Sequence, residues 1–190
     1  LTIGEFKKSK INSYFACGGT PWISARYFEF KENYKRTPFI EKIKILTKSK
    51  IKDSKFNIRL YNANEKGEPD NYIYNKNIIG IAKKGKRLTE IDVSELNIKF
   101  PKKGFFIAIE WLIIEDNKYE FNYTIKGSKK KHLGIHYDPK VGLIPSVVNK
   151  NSWIFIQGKW RKSSRKNNNE SFRKYRNKYN QLAIELTLTN

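Results

Sequence analysis

The sequence predicts an all-β protein: a two-sheet β-sandwich, jelly-roll-like, with about nine or ten strands. Three observations carry that expectation. Gly104 to Ile114 is a nearly unbroken run of β-branched and aromatic residues, entered through Pro101 and Gly104. Such a run is the pattern of a strand buried on both faces at the centre of a sheet. The other apolar runs are shorter or alternate with polar residues, which is the period of a half-buried strand. No segment holds a helical period over a useful length. Strands with a single apolar face must be covered, so two layers are required.

The elements follow in order. Leu1 to Phe15 alternates loosely and ends at Cys17-Gly18-Gly19-Thr20-Pro21, a break in regular structure. Trp22 to Phe30 is strand-like by its aromatic and β-branched content. Lys31 to Thr37 reads as a turn, and Pro38 to Leu46 as a strand with Ile43 and Ile45 opposed to Lys42 and Lys44. Phe56 to Tyr61 alternates cleanly: Phe56, Ile58 and Leu60 inward, Asn57, Arg59 and Tyr61 outward. Asn62 to Asn71 is a loop by its Asn, Gly, Asp and Pro content. Asn77 to Ala82 and Arg87 to Val93 are further strands, the second with a phase slip that a bulge explains. Ser94 to Asn97 fits a single helical turn. After the central strand, Glu115 to Lys118 signals a hairpin that returns as Tyr119 to Ile125. Gly127 to Val148 reads as a long excursion containing one short strand. Trp153 to Ile156 and Ala183 to Leu188 are strands, and 162–180 reads as a flexible basic loop. Residues 1–190 form one domain.

The formal charge is +21, from 39 basic and 18 acidic residues. An excess of that size points to an anionic partner such as nucleic acid, an acidic glycan or lipid headgroups. Lys outnumbers Arg, the better reader of phosphates, and Asn, Ile and Tyr share A/T-rich codons with Lys, so base composition contributes to the charge. The single cysteine, Cys17, excludes an internal disulfide and a Cys-based zinc site. Residue 1 is Leu and Met is absent, from which a missing N-terminal segment is expected. No apolar run has the length of a membrane span.

Trp22 and Trp160 lie beside breaks and are the candidates for an exposed aromatic platform, while Trp111 and Trp153 lie in apolar strands and are expected in the core. Arg161, Lys162, Arg165 and Lys166 follow Trp160, so these six residues form the expected ligand or partner surface. His132 and His136 are spaced i, i+4 with Asp138 beyond, a set that can hold zinc or iron. The Lys129-Lys130-Lys131 run beside them opposes a cation, and no metal or other cofactor is expected. Glu110 with Glu29 or Glu120 would be needed for glycoside hydrolysis. Glu110 is read instead as paired with a Lys or Arg or as turned to solvent at the sheet's margin. No nucleophile and base are legible, and no enzyme is expected.

The segments Cys17 to Trp22, Phe56 to Tyr61 with Gly67 to Asp70, Glu90 to Ser94, Pro101 to Trp111 and Ala183 to Thr189 resemble a family of Bacteroidota envelope proteins. In that family such a β-sandwich domain commonly follows a carboxypeptidase-regulatory-like domain. The resemblance implies a non-catalytic interaction module of the cell envelope, an accessory subunit of an outer-membrane protein assembly. It is expected in the periplasm, at the outer membrane or on the cell surface. The expected partner is therefore a protein, with an acidic glycan or lipid headgroups next and nucleic acid after them. A carbohydrate-binding module is the first alternative function, and a basic nucleic-acid-binding domain the second.

Overall fold

The computed structural model describes residues 1–148, 151–163 and 175–190. Among them are fourteen strands: β1 (Thr2–Ile3), β2 (Tyr14–Cys17), β3 (Ile23–Phe28), β4 (Phe39–Ser49), β5 (Ser54–Ala63), β6 (Pro69–Ala82), β7 (Gly85–Asp92), β8 (Phe105–Trp111), β9 (Lys118–Thr124), β10 (Lys131–Ser146), β11 (Ser152–Ile156), β12 (Lys159–Lys162), β13 (Tyr179–Leu182) and β14 (Ile184–Thr189). They form two antiparallel sheets. One has six strands in the order β12-β11-β3-β8-β5-β6. The other has eight, along the path β1-β14-β4-β10-β13, with β7 on β4 and with β2 and β9 on β10. The chain passes repeatedly from one layer to the other. Neighbours in sequence pair directly at β5–β6, β9–β10 and β11–β12.

The fold is the expected β-sandwich, with more strands than the expected nine or ten. The four beyond ten are β1 and β2 in the first residues, β12 after Ile156 and β13 before Ala183. The segment read as an excursion holds one strand, as expected, but a long one. There β10 runs for 16 residues. Its first half pairs with β9 and its second half with β2, β4 and β13, with a register shift between Tyr137 and Val141. A strand that changes partners along its length shows different faces in its two halves, so no single alternation marks it. The hairpin expected at Glu115 to Lys118 is instead a crossing: a 3-10 turn at Glu115–Asn117 hands the chain from β8 to β9 in the other sheet. Asn117 fixes that crossing. Its side chain accepts from Lys55 N and donates to the carbonyls of Lys55 and Leu112. Lys162, expected at the start of the basic loop, ends β12, and Tyr179 and Asn180 belong to β13.

The central strand is β8, paired with β3 on one side and β5 on the other. Phe105, Ile107, Ile109 and Trp111 point into the core between the layers, with Phe56, Ile58, Leu60, Ile43, Ile45 and Leu186 among their neighbours. The layers are also tied by polar groups. Arg26 of β3 is buried and reaches across to the eight-stranded sheet, where Nη1 donates to the carbonyls of Leu182 (3.1 Å) and Ile184 (2.6 Å). It makes no salt bridge among the described residues, and burial pulls its pKa down to about 10. Trp111 Nε1 donates to Pro139 O at 2.7 Å, tying β8 to β10.

Gly104 opens β8 with φ +75°, and a Cβ there would lie 2.3 Å from Tyr27 Oη and 2.6 Å from Phe28 O. Gly104→Ala combines a left-handed backbone with a clash against the main chain. It is expected to lower stability by about 2 kcal/mol or more. Urea unfolding measures this, and an unchanged midpoint would show that the turn relaxes freely.

Candidate functional site

The outer face of the six-stranded sheet has no third layer over it, yet it is apolar at its centre. Phe106 and Ala108 of β8 are fully buried there, with Ala25 (β3), Tyr61 (β5) and Trp153 (β11) beside them. Ala25 and Ala108 face each other across β3 and β8. In the same cluster the rings of Tyr61 and Trp160 meet edge to face at 5.2 Å. Their strands are four places apart in the sheet, about 19 Å of strand spacing. The two side chains can meet only if the sheet curls toward this face and the small alanines leave room. Tyr27 packs on Phe106, Tyr72 on Tyr61 and Phe155 on Trp160, extending the aromatic surface.

A cleft of about 490 Å³ opens at one end of this face. One wall is Thr20 and Trp22 from the β2–β3 connection. The other is Phe155 and Gln157 from the β11–β12 hairpin, and Glu110 comes from β8. The hairpin turn is Gln157-Gly158, both with positive φ (52° and 75°), the geometry that matches the twist of the flanking strands. Trp22 packs on Phe15 at 5.3 Å, and its indole N–H is buried with no acceptor among the described residues. Glu110 is held by two donors on one oxygen. Arg59 Nε and Asn57 Nδ2 each lie 2.8 Å from Oε2. Asn57 Oδ1 in turn accepts from Ile78 N, and the Arg59 guanidinium lies 5.6 Å from the centre of the Tyr72 ring. Oε1 of Glu110 has no hydrogen-bond partner among the described residues. The arrangement is an aromatic-walled cavity with one oriented carboxylate and a few amide and hydroxyl groups, the composition of a small-ligand site.

Of the expected surface residues, Trp22 lines the cleft, and Trp160 supports its wall through Phe155 (5.2 Å). Arg161 and Lys162 are exposed on β12. Arg161 reaches Gln157 Oε1 at 3.5 Å, and the Lys162 ammonium lies 5.8 Å from the Trp153 ring centre. Arg165 and Lys166 lie outside the described residues. Trp111 is in the core, but Trp153 is buried on the outer face rather than between the layers. The reading of Glu110 as paired with an Arg holds, through Arg59. Glu29 follows the opposite end of β3, and Glu120 sits on the other sheet, 3.0 Å from Lys118, so the three carboxylates are not brought together. Asn57, Arg59, Tyr61, Tyr72 and Phe155 join the site beyond the expected residues. The signal was present for Asn57, Arg59 and Tyr61, a polar and aromatic set on the outward side of one strand.

His132 and His136 share a face of β10, as their spacing requires. His132 stacks on Tyr123, and His136 packs against Tyr119 (5.0 Å) and Phe121 (5.3 Å) with Nε2 3.1 Å from Asp138 Oδ1. Asp138 also accepts from Ser49 Oγ and Lys50 N, which holds the β4–β5 turn. Among the described residues no three metal-ligating side chains cluster.

No family model and no curated protein matches the chain. Solved structures are similar in fold. One holds the cysteine protease and lectin-like domains of Cwp84, a surface layer associated protein of Clostridium difficile. It is 12% identical with a TM-score of 0.51, over 90% of this chain and 32% of that one. Another is the clostridial cysteine protease Cwp84 after propeptide cleavage, 13% identical with a TM-score of 0.55, over 94% and 37%. The chain spans about a third of the length of the solved chains it matches.

Burial, with Lys140 adding to it, pushes the His136 pKa below its usual 6.5 against the opposing pull of Asp138. The unfolded chain therefore takes up this proton first. The contribution of a neutral His136 is complete above pH 6.5 and is lost as pH falls toward the folded pKa. Urea midpoints at pH 7.5 and 5.5 are expected to fall further for the wild type than for His136→Gln. Equal falls would remove His136 as the cause.

Proposed function

We propose that this chain is a glycan-binding domain of a cell-surface or envelope protein. The observation that carries this reading is the cleft between Trp22 and Phe155, with Glu110 held at its edge by Arg59 and Asn57. The C–H face of a sugar ring is apolar and stacks on an indole or phenyl ring, while its hydroxyls need oriented acceptors and donors. Trp22 and Phe155 supply the stacking. Glu110 Oε1 and Gln157 supply the hydrogen bonds. A carboxylate in the cleft favours an uncharged sugar or an amino sugar over an acidic one. One of the structures similar in fold includes a lectin-like domain, which supports this reading.

A glycan array tests this reading. Trp22→Ala and Phe155→Ala are each expected to weaken the retained glycan at least tenfold, about 1.4 kcal/mol. An array with no retained neutral glycan, or a Trp22→Ala variant at full affinity, would rule the reading out.

A protein partner within an envelope assembly finds support elsewhere, on the β9–β10 hairpin. There Phe121, Tyr123, Leu133 and Ile135 are exposed. The register puts Leu133 and Ile135 on one face of the hairpin and Phe121 and Tyr123 on the other, so each face offers a small apolar patch to a partner. Purification from the native envelope with wild type and a Leu133→Lys/Ile135→Lys variant should recover a protein with the first and not the second. Recovery of the same proteins by both would count against it.

A further inference from the structure

The cleft leaves the positive charge unexplained. Two neighbouring turns carry lysines close together, β4–β5 with Lys50 and Lys52, and β6–β7 with Lys83 and Lys84. Arg87 follows two residues after β7 begins, and Lys48 and Lys86 face each other across β4 and β7. Between the turns lies an open depression of about 680 Å³, where Lys52, Lys83, Lys84 and Arg87 meet one carboxylate, Asp53. None of these four cations makes a salt bridge among the described residues. Lys86 spends its ammonium on Ile11 O at 2.6 Å, and burial together with Lys8 and Lys48 pushes its pKa down. The like charges repel one another, and an anionic partner would relieve that repulsion.

The register places this cluster at the same end of the sandwich as the cleft. Ser54 pairs with Ala82, Phe56 with Trp111, and Glu110 with Ile23. From β8 to β6 is two strand spacings, about 10 Å. Phe155 on β11 lies four spacings from β6, about 19 Å. The Glu115–Asn117 turn with its Asp116–Lys55 pair crosses the same end, so an extended ligand of several units is needed to reach both cleft and cluster. Lysines act as point charges for phosphates without the planar readout of arginine. No aromatic ring lines the depression, so it offers nothing on which a base could stack.

We infer that this rim binds an anionic polymer in which sugars or polyols are joined through phosphodiesters. Its phosphates cross the Lys52, Lys83, Lys84 and Arg87 depression while an uncharged sugar enters the cleft beside Trp22. The polyanion site stands on the cations alone; the sugar in the cleft rests on the glycan-binding reading.

The test uses four probes: poly(glycerol phosphate) with and without hexose substituents, duplex DNA, and phosphatidylglycerol vesicles. The substituted polymer is expected to bind tightest, with log affinity falling linearly as log salt rises. Lys52→Glu/Lys83→Glu/Lys84→Glu should weaken it at least tenfold and flatten the salt slope by about 2, at roughly 0.7 per lost phosphate contact. The same variant, checked for an unchanged circular dichroism spectrum, should keep its binding to a neutral glycan. Trp22→Ala should keep the slope and lose the preference for the substituted polymer. An unchanged slope in the triple variant overturns the rim. DNA or vesicles bound as tightly as the substituted polymer, with the same slope, overturn the glycan-polymer class; vesicle binding would then implicate Ile81 and Leu88, exposed nearby. If the neutral-glycan array fails while the triple variant still loses the bare polymer, the cleft reading falls and the phosphate site remains.

Discussion

A strand that is apolar on both faces must be covered on both faces, and a two-layer protein has only one opposing layer to offer. In β8 this condition is met unequally. Phe105, Ile107 and Ile109 pack into the inter-sheet core, whereas Phe106 and Ala108 lie on the face that no sheet covers and are still fully buried. Their cover comes from the six-stranded sheet itself, through the rings of Tyr27, Tyr61, Trp153 and Trp160 folding in over small residues. Removing that apolar area from water is favourable at roughly 25 cal/mol per Å². One of these rings, Trp160, also packs on Phe155 in the wall of the cleft, so the cover over the strand and the candidate site share a side chain.

The two outer faces solve their exposure in opposite ways. On the eight-stranded sheet, Lys42, Lys44, Glu90 and Glu185 form a ladder of ion pairs across β7, β4 and β14. These are partly exposed pairs that each contribute little, but they neutralise one another. The outer face of the six-stranded sheet has the Arg59–Glu110 pair set among rings. The turns at the rim have cations with few acids. Glu90 and Glu185 are engaged along the strands, whereas Lys52, Lys83, Lys84 and Arg87 at the rim make no ion pair among the described residues.

Much of this was legible in the sequence, for physical reasons. The period of two in Phe56 to Tyr61 and in Pro38 to Leu46 gave both the strands and their inward faces, and the unbroken run in β8 gave the sheet centre. What stayed hidden depends on partners distant in the chain. The β10 strand could not be recognised, because its neighbours change along its length. The crossing at Asn117 looked like a hairpin, because a turn signal does not say which sheet the next strand joins. Arg26 reads locally as a polar residue in an aromatic strand, and its staple to Leu182 and Ile184 spans more than 150 positions. For the site, Trp22 and Trp160 stood out by lying beside breaks. The role of Phe155 emerges only once the β11–β12 hairpin bends it toward Trp22, and Glu110 acquires its setting only through register with Asn57.

The pairing of β1 with β14 has a consequence for how such a domain can be carried. Leu1 and Leu188 exchange backbone hydrogen bonds, so the first and last described residues emerge side by side. Thr189 lies opposite Phe39, whereas the cationic turns begin beyond Ser49 at the far end of the same strand. Ten residues of extended chain, roughly 33 Å, separate the two poles. A polypeptide flanking this domain on either side would leave from the pole opposite the cleft. The cleft and the cationic turns would then face away from any such flanking chain.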